Sequence, residues 1–303
     1  NLDATTLTLT DTTGTITFAD GGDVDLTTLS TAAQDYDGVI ESSTFDVANA
    51  TTFDNTGTLT LGSDAADSLI FTGGLTATAV DQVVLGGGTV STTGVNSLSL
   101  GDTNAEAVSV TAASTLVAGT GSIDLTDTVL ADGASLTVGD GSATAITMDA
   151  IAGTASGTAS DLTFNTTNTV TVAESIGTDI GTLTLTQSGG ATFEASVAAA
   201  TVALTDTTGT VAFEGDTTIT SGLTTAAEDY ALSFTGASNS VAGDTTLLNT
   251  GALTLGDAST DSTTFTGGLD TTEASGTSVA GTVATTDHAM DLGAVTLGAN
   301  ATL

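Results

Sequence analysis

Aliphatic and hydroxyl side chains alternate with a period of two along most of this chain. Thr6-Leu7-Thr8-Leu9-Thr10, Thr58-Leu59-Thr60-Leu61, Ser97-Leu98-Ser99-Leu100, Thr182-Leu183-Thr184-Leu185 and Ala252-Leu253-Thr254-Leu255 all have it. An extended backbone sends successive side chains to opposite faces, so each run reads as a short strand with one greasy and one hydroxylated face. Gly21-Gly22-Asp23, Gly73-Gly74, Gly86-Gly87-Gly88 and Gly139-Asp140-Gly141 punctuate the runs with residues that tolerate sharp corners. Proline, which cannot donate to a sheet ladder, is absent. The Ala-rich segments 103–115 and 144–160 carry no apolar stripe at helical spacing. Thr31-Ala-Ala-Gln34 and Thr225-Ala-Ala-Glu228 fit a capping box in pattern and read as polar corners between strands.

The chain also repeats itself. Leu9-Thr10-Asp11-Thr12-Thr13-Gly14-Thr15 returns 195 residues later as Leu204-Thr205-Asp206-Thr207-Thr208-Gly209-Thr210. Thr31 to Tyr36 returns 194 residues later at Thr225 to Tyr230, and Phe71-Thr72-Gly73-Gly74-Leu75 returns at Phe265-Thr266-Gly267-Gly268-Leu269. Asn55-Thr56-Gly57 with Leu59-Thr60-Leu61-Gly62 returns as Asn249-Thr250-Gly251 with Leu253-Thr254-Leu255-Gly256. Residues 1–303 therefore read as one elongated domain holding about one and a half copies of a 194-residue super-repeat. A finer, blurred spacing lies inside it, compatible with coils of roughly 20 residues and three short strands each.

These features predict an all-β fold, a single-stranded parallel β-helix (β-solenoid) of roughly 15 coils. One coil cannot bury its inward Leu, Val and Phe; stacking hides them and pairs every backbone group with the neighbouring coil. Threonine rows are expected to stack in register outside. The shortage of aromatics, 4% of the chain, suggests an interior too narrow for large side chains.

Charge excludes several functions. There is no Lys or Arg against 36 Asp and Glu, a formal net charge of -36. Without cationic side chains the chain has no means of neutralising a nucleic-acid backbone, and no attraction to anionic membranes. Lysine-dependent phosphate sites and Schiff-base chemistry are unavailable. With no Cys there is neither disulfide nor thiolate ligand. The longest apolar runs, such as Leu69-Ile70-Phe71, fall far short of the about 20 residues of a membrane-spanning helix, and no basic, apolar leader opens the sequence. High charge and few aromatics can signal disorder, but the mean hydropathy of +0.31 and the alternating runs oppose it.

Clustered carboxylates are the candidate binding groups. Asp20, Asp23 and Asp25, Asp35 and Asp37, Asp64 and Asp67, and Asp257 and Asp261 are oxygen donors of the kind calcium takes. No EF-hand loop or Gly-Gly-x-Gly-x-Asp array frames them, so solvation of the surface is the competing role. His288, the sole histidine, reads as an exposed corner residue, and Tyr36 and Tyr230 as a repeated packing position. Paired carboxylates could serve a glycosidase, but Arg, Lys and Trp are missing and no catalytic constellation is expected. Irregular spacing argues against an ice-binding threonine face. The sequons at Asn49, Asn165 and Asn300 are chance matches in so threonine-rich a chain.

The phrases TGTLTLG (residues 56–62), FTGGLTATA (71–79) and LGAVTLGANATL (292–303) resemble the interior repeats of large filamentous-haemagglutinin-like bacterial surface proteins. The stretch from His288 to Leu303 and, more loosely, Tyr36-Asp37-Gly38-Val39 carry the likeness. The Asn-Pro signature of that family's secretion domain has no counterpart here. The resemblance implies a secreted, cell-surface β-helix. The expectation is a non-enzymatic extracellular scaffold of a stalk, filament, sheath or coat, contacting further copies or neighbouring repeats and possessing no cofactor beyond calcium. The alternative is an adhesin module that binds a glycan or a cell-surface receptor.

Overall fold

The computed structural model describes every residue except Asp11, 102–105 and Ala299. The Asp11 position of the first repeated motif, the start of the Ala-rich segment 103–115 and Ala299 of the final phrase lie outside the described residues. The described residues contain strands and corners and no helix, and the fold is a parallel β-solenoid of about 13 turns. They fall into two compact units, residues 1–160 and 161–303.

In the first unit the coils contribute up to three short strands each. Gly14–Phe18, Tyr36–Ile40, Thr58–Leu61 and Gln82–Leu85 pair in parallel, one per coil. Asp23–Ser30, Thr44–Val47, Ser68–Phe71 and Gly88–Thr92 form the second stack. Thr51–Thr52, Leu75–Ala77, Leu98–Leu100 and Ser122–Leu125 form the third. Register keeps like with like: Val24, Phe45, Leu69, Val90, Leu116 and Val138 follow one another along an inward row. Thr44, Ser68, Thr89, Thr115 and Thr137 line the outside. The alternation in the sequence is thus the in–out alternation of the coil, and side chains of Phe45, Leu69 and Leu116 are fully buried.

The second unit uses the same plan. Val170–Val172, Ala191–Phe193, Gly209–Phe213, Tyr230–Phe234, Ala252–Leu255, Gly276–Val279 and Val295–Leu297 make one parallel stack. Inside it Phe193, Phe213 and Phe234 face one another in register, their rings stacked at 4.9 Å per step. The expectation of an interior too narrow for large side chains is therefore wrong: eight of the nine phenylalanines are buried. Flat rings stack along the coil axis at near the strand spacing of about 4.8 Å, so they fill the interior without widening it.

Coil length varies more than the sequence suggested. Register partners lie 22 residues apart at Leu2 and Val24, 26 apart at Gly88 and Ser114, and 18 apart at Thr277 and Val295. Longer corners give fewer turns than the expected 15.

Residues 194 apart make matching contacts at two places. Asn55 Nδ2 donates to the Tyr36 carbonyl at 3.0 Å, and Asn249 Nδ2 to the Tyr230 carbonyl at 3.3 Å. The Thr31 hydroxyl accepts from the Asp54 N–H at 2.8 Å, and that of Thr225 from the Leu248 N–H at 2.8 Å. Both capping-box lookalikes are corners, as expected, and their threonines tie neighbouring coils together rather than starting a helix.

Tyr36 and Tyr230 are buried at 2% and 1% exposure. Each hydroxyl lies beside a threonine side chain and the backbone of an alanine, Thr31 and Ala32 or Thr225 and Ala226, but makes no hydrogen bond of good geometry. Burial raises both phenols, and that of Tyr230 is pushed up to about 12. A folded-state value above the unfolded one of about 10 leaves the contribution to stability intact below pH of about 10 and removes it as pH rises through the folded value. The chain has two Tyr, so the phenolate absorption band in the ultraviolet reports these two side chains alone. Phenolate is expected to appear late and together with loss of the sheet signal in circular dichroism. Two ordinary phenol titrations in a chain that keeps its sheet signal would contradict this burial.

Candidate functional site

The carboxylates singled out in the sequence do different jobs. Asp67 and Asp261 hold equivalent corners in the two copies. Asp67 Oδ2 accepts from the Ser63 N–H at 2.7 Å, the Ser63 hydroxyl at 2.9 Å and the Asp64 N–H at 3.2 Å. Asp261 Oδ2 accepts from the N–H groups of Asp257 and Ala258 at 2.9 and 2.8 Å. Both residues are buried, at 3% and 5% exposure, with Oδ2 of each held by the turn. Burial pushes the Asp261 carboxyl up, but the bonds from Ala258 and Asp257 outweigh it and leave its pKa below the ordinary value. Its stabilisation is present above the unfolded value and lost as pH falls through the folded one. Their companions Asp64 and Asp257 are exposed on the same corners, where Asp64 Oδ1 accepts from the Ala66 N–H at 2.7 Å.

Asp20, Asp23 and Asp25 do not converge. Asp20 Oδ1 accepts from the Gly21 N–H at 2.6 Å in its own turn. Asp23 takes the Thr44 hydroxyl at 2.9 Å and the Asn1 side-chain amide at 3.1 Å. Asp25 stands on the outer face of Asp23–Ser30. Asp35 is exposed at the corner before Tyr36–Ile40, while Asp37 Oδ1 accepts from the Thr58 N–H of the next coil at 2.9 Å. Among the described residues no group of three or more His, Cys, Asp or Glu side chains is arranged to hold a metal ion. His288 is exposed, with Nδ1 2.5 Å from the Thr286 carbonyl.

Two features escaped the sequence reading. The first is a row of three facing aspartates, Asp3, Asp25 and Asp46, on successive strands. Asp3 and Asp46 lie 22 and 21 residues from Asp25, the local coil lengths, so the signal was there once the register was known. The second is a groove of about 430 Å³ on the third stack of the first unit, bordered by Thr78, Ser99, Asp124, Thr126, Thr147 and Asp149. Its wall is a register row, Ser99 to Asp124 to Thr147, of hydrogen-bonding side chains without an aromatic platform.

No protein-family model matches the chain, and neither a curated protein nor a solved structure is similar to it.

Proposed function

We propose that this chain is a structural, non-enzymatic part of an extracellular bacterial surface protein, contributing to a stalk, filament, sheath or coat. The filamentous-haemagglutinin-like phrases support the family style. The observation that carries the reading is the coil-to-coil contact within each unit: parallel ladders in register, with glycines packed so closely on the next coil's backbone that no side chain fits. Such a ladder resists shear because its backbone bonds are loaded together. The absence of Lys and Arg leaves trypsin no cleavage site, which suits exposure outside the cell. Electron microscopy of the native surface material, with an antibody against this chain, tests the proposal. Labelled fibres, projections or a coat support it; label confined to the cell interior defeats it.

A second reading has one specific observation in its favour. The groove edged by Ser99, Asp124 and Thr147 offers hydroxyl and carboxylate partners for sugar hydroxyls. An adhesin role predicts binding on a glycan array that is lost in Asp124→Ala. Binding that survives this change removes the groove from consideration.

A further inference from the structure

Directly opposed like charges destabilise a sheet, and most carboxylates here lie at corners, Glu41 and Asp54 among them; on strands, Asp270 faces Asp291 but is relieved by the Thr272 N–H and hydroxyl. Asp3, Asp25 and Asp46 do not. They occupy facing positions on Leu2–Thr8, Asp23–Ser30 and Thr44–Val47, at a strand spacing of about 4.8 Å. Neighbouring Asp23 is relieved by the Thr44 hydroxyl and the Asn1 amide, and Asp37 by a backbone N–H. Asp46 has no such relief: its Oδ1 is buried and makes no hydrogen bond among the described residues. On the far side the next strand, Ser68–Phe71, sets apolar Ile70 opposite it. The charged groups around Asp46 are Asp25 and Asp23 on one adjoining strand and Asp3 one strand further; Ser68–Phe71 brings none.

We propose that the Asp3–Asp25–Asp46 row is a proton-operated clasp between coils. One proton taken from solvent neutralises one carboxylate of a facing pair. The resulting O–H then donates to the opposing carboxylate, replacing repulsion by a charge-assisted hydrogen bond, and the net charge of the row falls by one. Burial, with the Asp25 charge adding to it, already holds the Asp46 carboxyl above its ordinary value. A raised folded-state pKa means stabilisation that is complete at acid pH and lost as pH rises through that value. The first coils thus tighten in acid and loosen toward neutrality, opposite in sign to the Asp261 corner.

Amide hydrogen exchange on the intact chain, corrected for the intrinsic pH dependence of exchange, tests this. In the wild type, exchange in Leu2–Thr8 and Asp23–Ser30 is expected to slow several-fold on moving from neutral to mildly acid pH, about tenfold for each unit by which the pKa is raised. The strand Ala191–Phe193 serves as reference for the general relief of charge. Asp46→Asn should remove the extra slowing and give the acid-like protection at neutral pH. Asp25→Asn, a change on the exposed side, should shift the response to lower pH if Asp46→Asn does not fold. Equal pH responses in the first coils and the reference strand overturn the proposal, as does a response unchanged in both variants. Calcium added at neutral pH is the final arm. If it protects the first coils in the wild type but not in Asp46→Asn, a cation rather than a proton closes the row and the proposal falls; no effect of calcium supports it.

Discussion

Phe213→Ala is expected to cost about 3–5 kcal/mol of stability, read from denaturant unfolding followed by circular dichroism. The Phe213 ring lies between those of Phe193 and Phe234, 4.9 Å from each and tilted by only 17° and 3°. Truncation deprives two buried neighbours of a ring face at once, and each aromatic pair contributes about 0.5–1.5 kcal/mol beyond buried area. The hole cannot collapse easily, because the neighbouring rings hang from strands held in register on both sides of Phe213. Phe18→Ala is the internal comparison. Phe18 is half-buried and meets Phe45 edge-on at 5.1 Å, so its loss should cost clearly less. Equal costs would mean that the stacked rings contribute nothing beyond ordinary burial.

The second large effect needs only one added methyl group. A Cβ built on Gly251 would lie 2.2 Å from the Tyr230 carbonyl oxygen and 2.4 Å from its carbon. These are backbone atoms of the adjacent coil, with no side chain able to swing away. Gly251→Ala must push two coils apart locally and is expected to cost at least about 1–3 kcal/mol. Gly57 meets the Tyr36 carbonyl oxygen at 2.5 Å in the equivalent corner, and the same change there should behave alike. At Gly222 an added Cβ meets nothing within 4 Å, so Gly222→Ala should be neutral or stabilise by about 0.4–1 kcal/mol. Parallel thermal melts of the three variants decide the matter. If Gly251→Ala melts with Gly222→Ala, the coils are not in the close contact described.

Much of this was readable from residue order. Runs such as Thr58-Leu59-Thr60-Leu61 announced a strand with a buried and an exposed face, and that is how the strand lies. The returning Asn-Thr-Gly triplets marked corners where backbone meets backbone, which explains why Gly57 and Gly251 recur at the same place. What could not be read depends on which residues become neighbours one coil away. Corner length sets that register, and corners of unequal length blur the period. Asp25 drew notice for its sequence neighbours Asp20 and Asp23, whereas its spatial neighbours are Asp3 and Asp46. Asp64 and Asp67 looked like a pair of free oxygen donors. Yet Asp67 is buried and its carboxylate closes a turn, because three local donors reach it before any ion could. The buried phenols were expected as packing groups. Their raised ionisation was not, since it depends on how completely water is excluded.

Coils of 18 and 26 residues coexist without disturbing the strands they connect. Most length differences are absorbed outside the ladder, at bends; a one-residue register shift after Ala199 is taken up inside it. The exposed bends, away from the packed Gly57, Gly251, Asp67 and Asp261 corners, are natural ports for passenger sequence: an epitope or a small domain grafted there leaves the register of its host coil intact, and its distance from the next graft along a stack is set in steps of one strand spacing, about 4.8 Å.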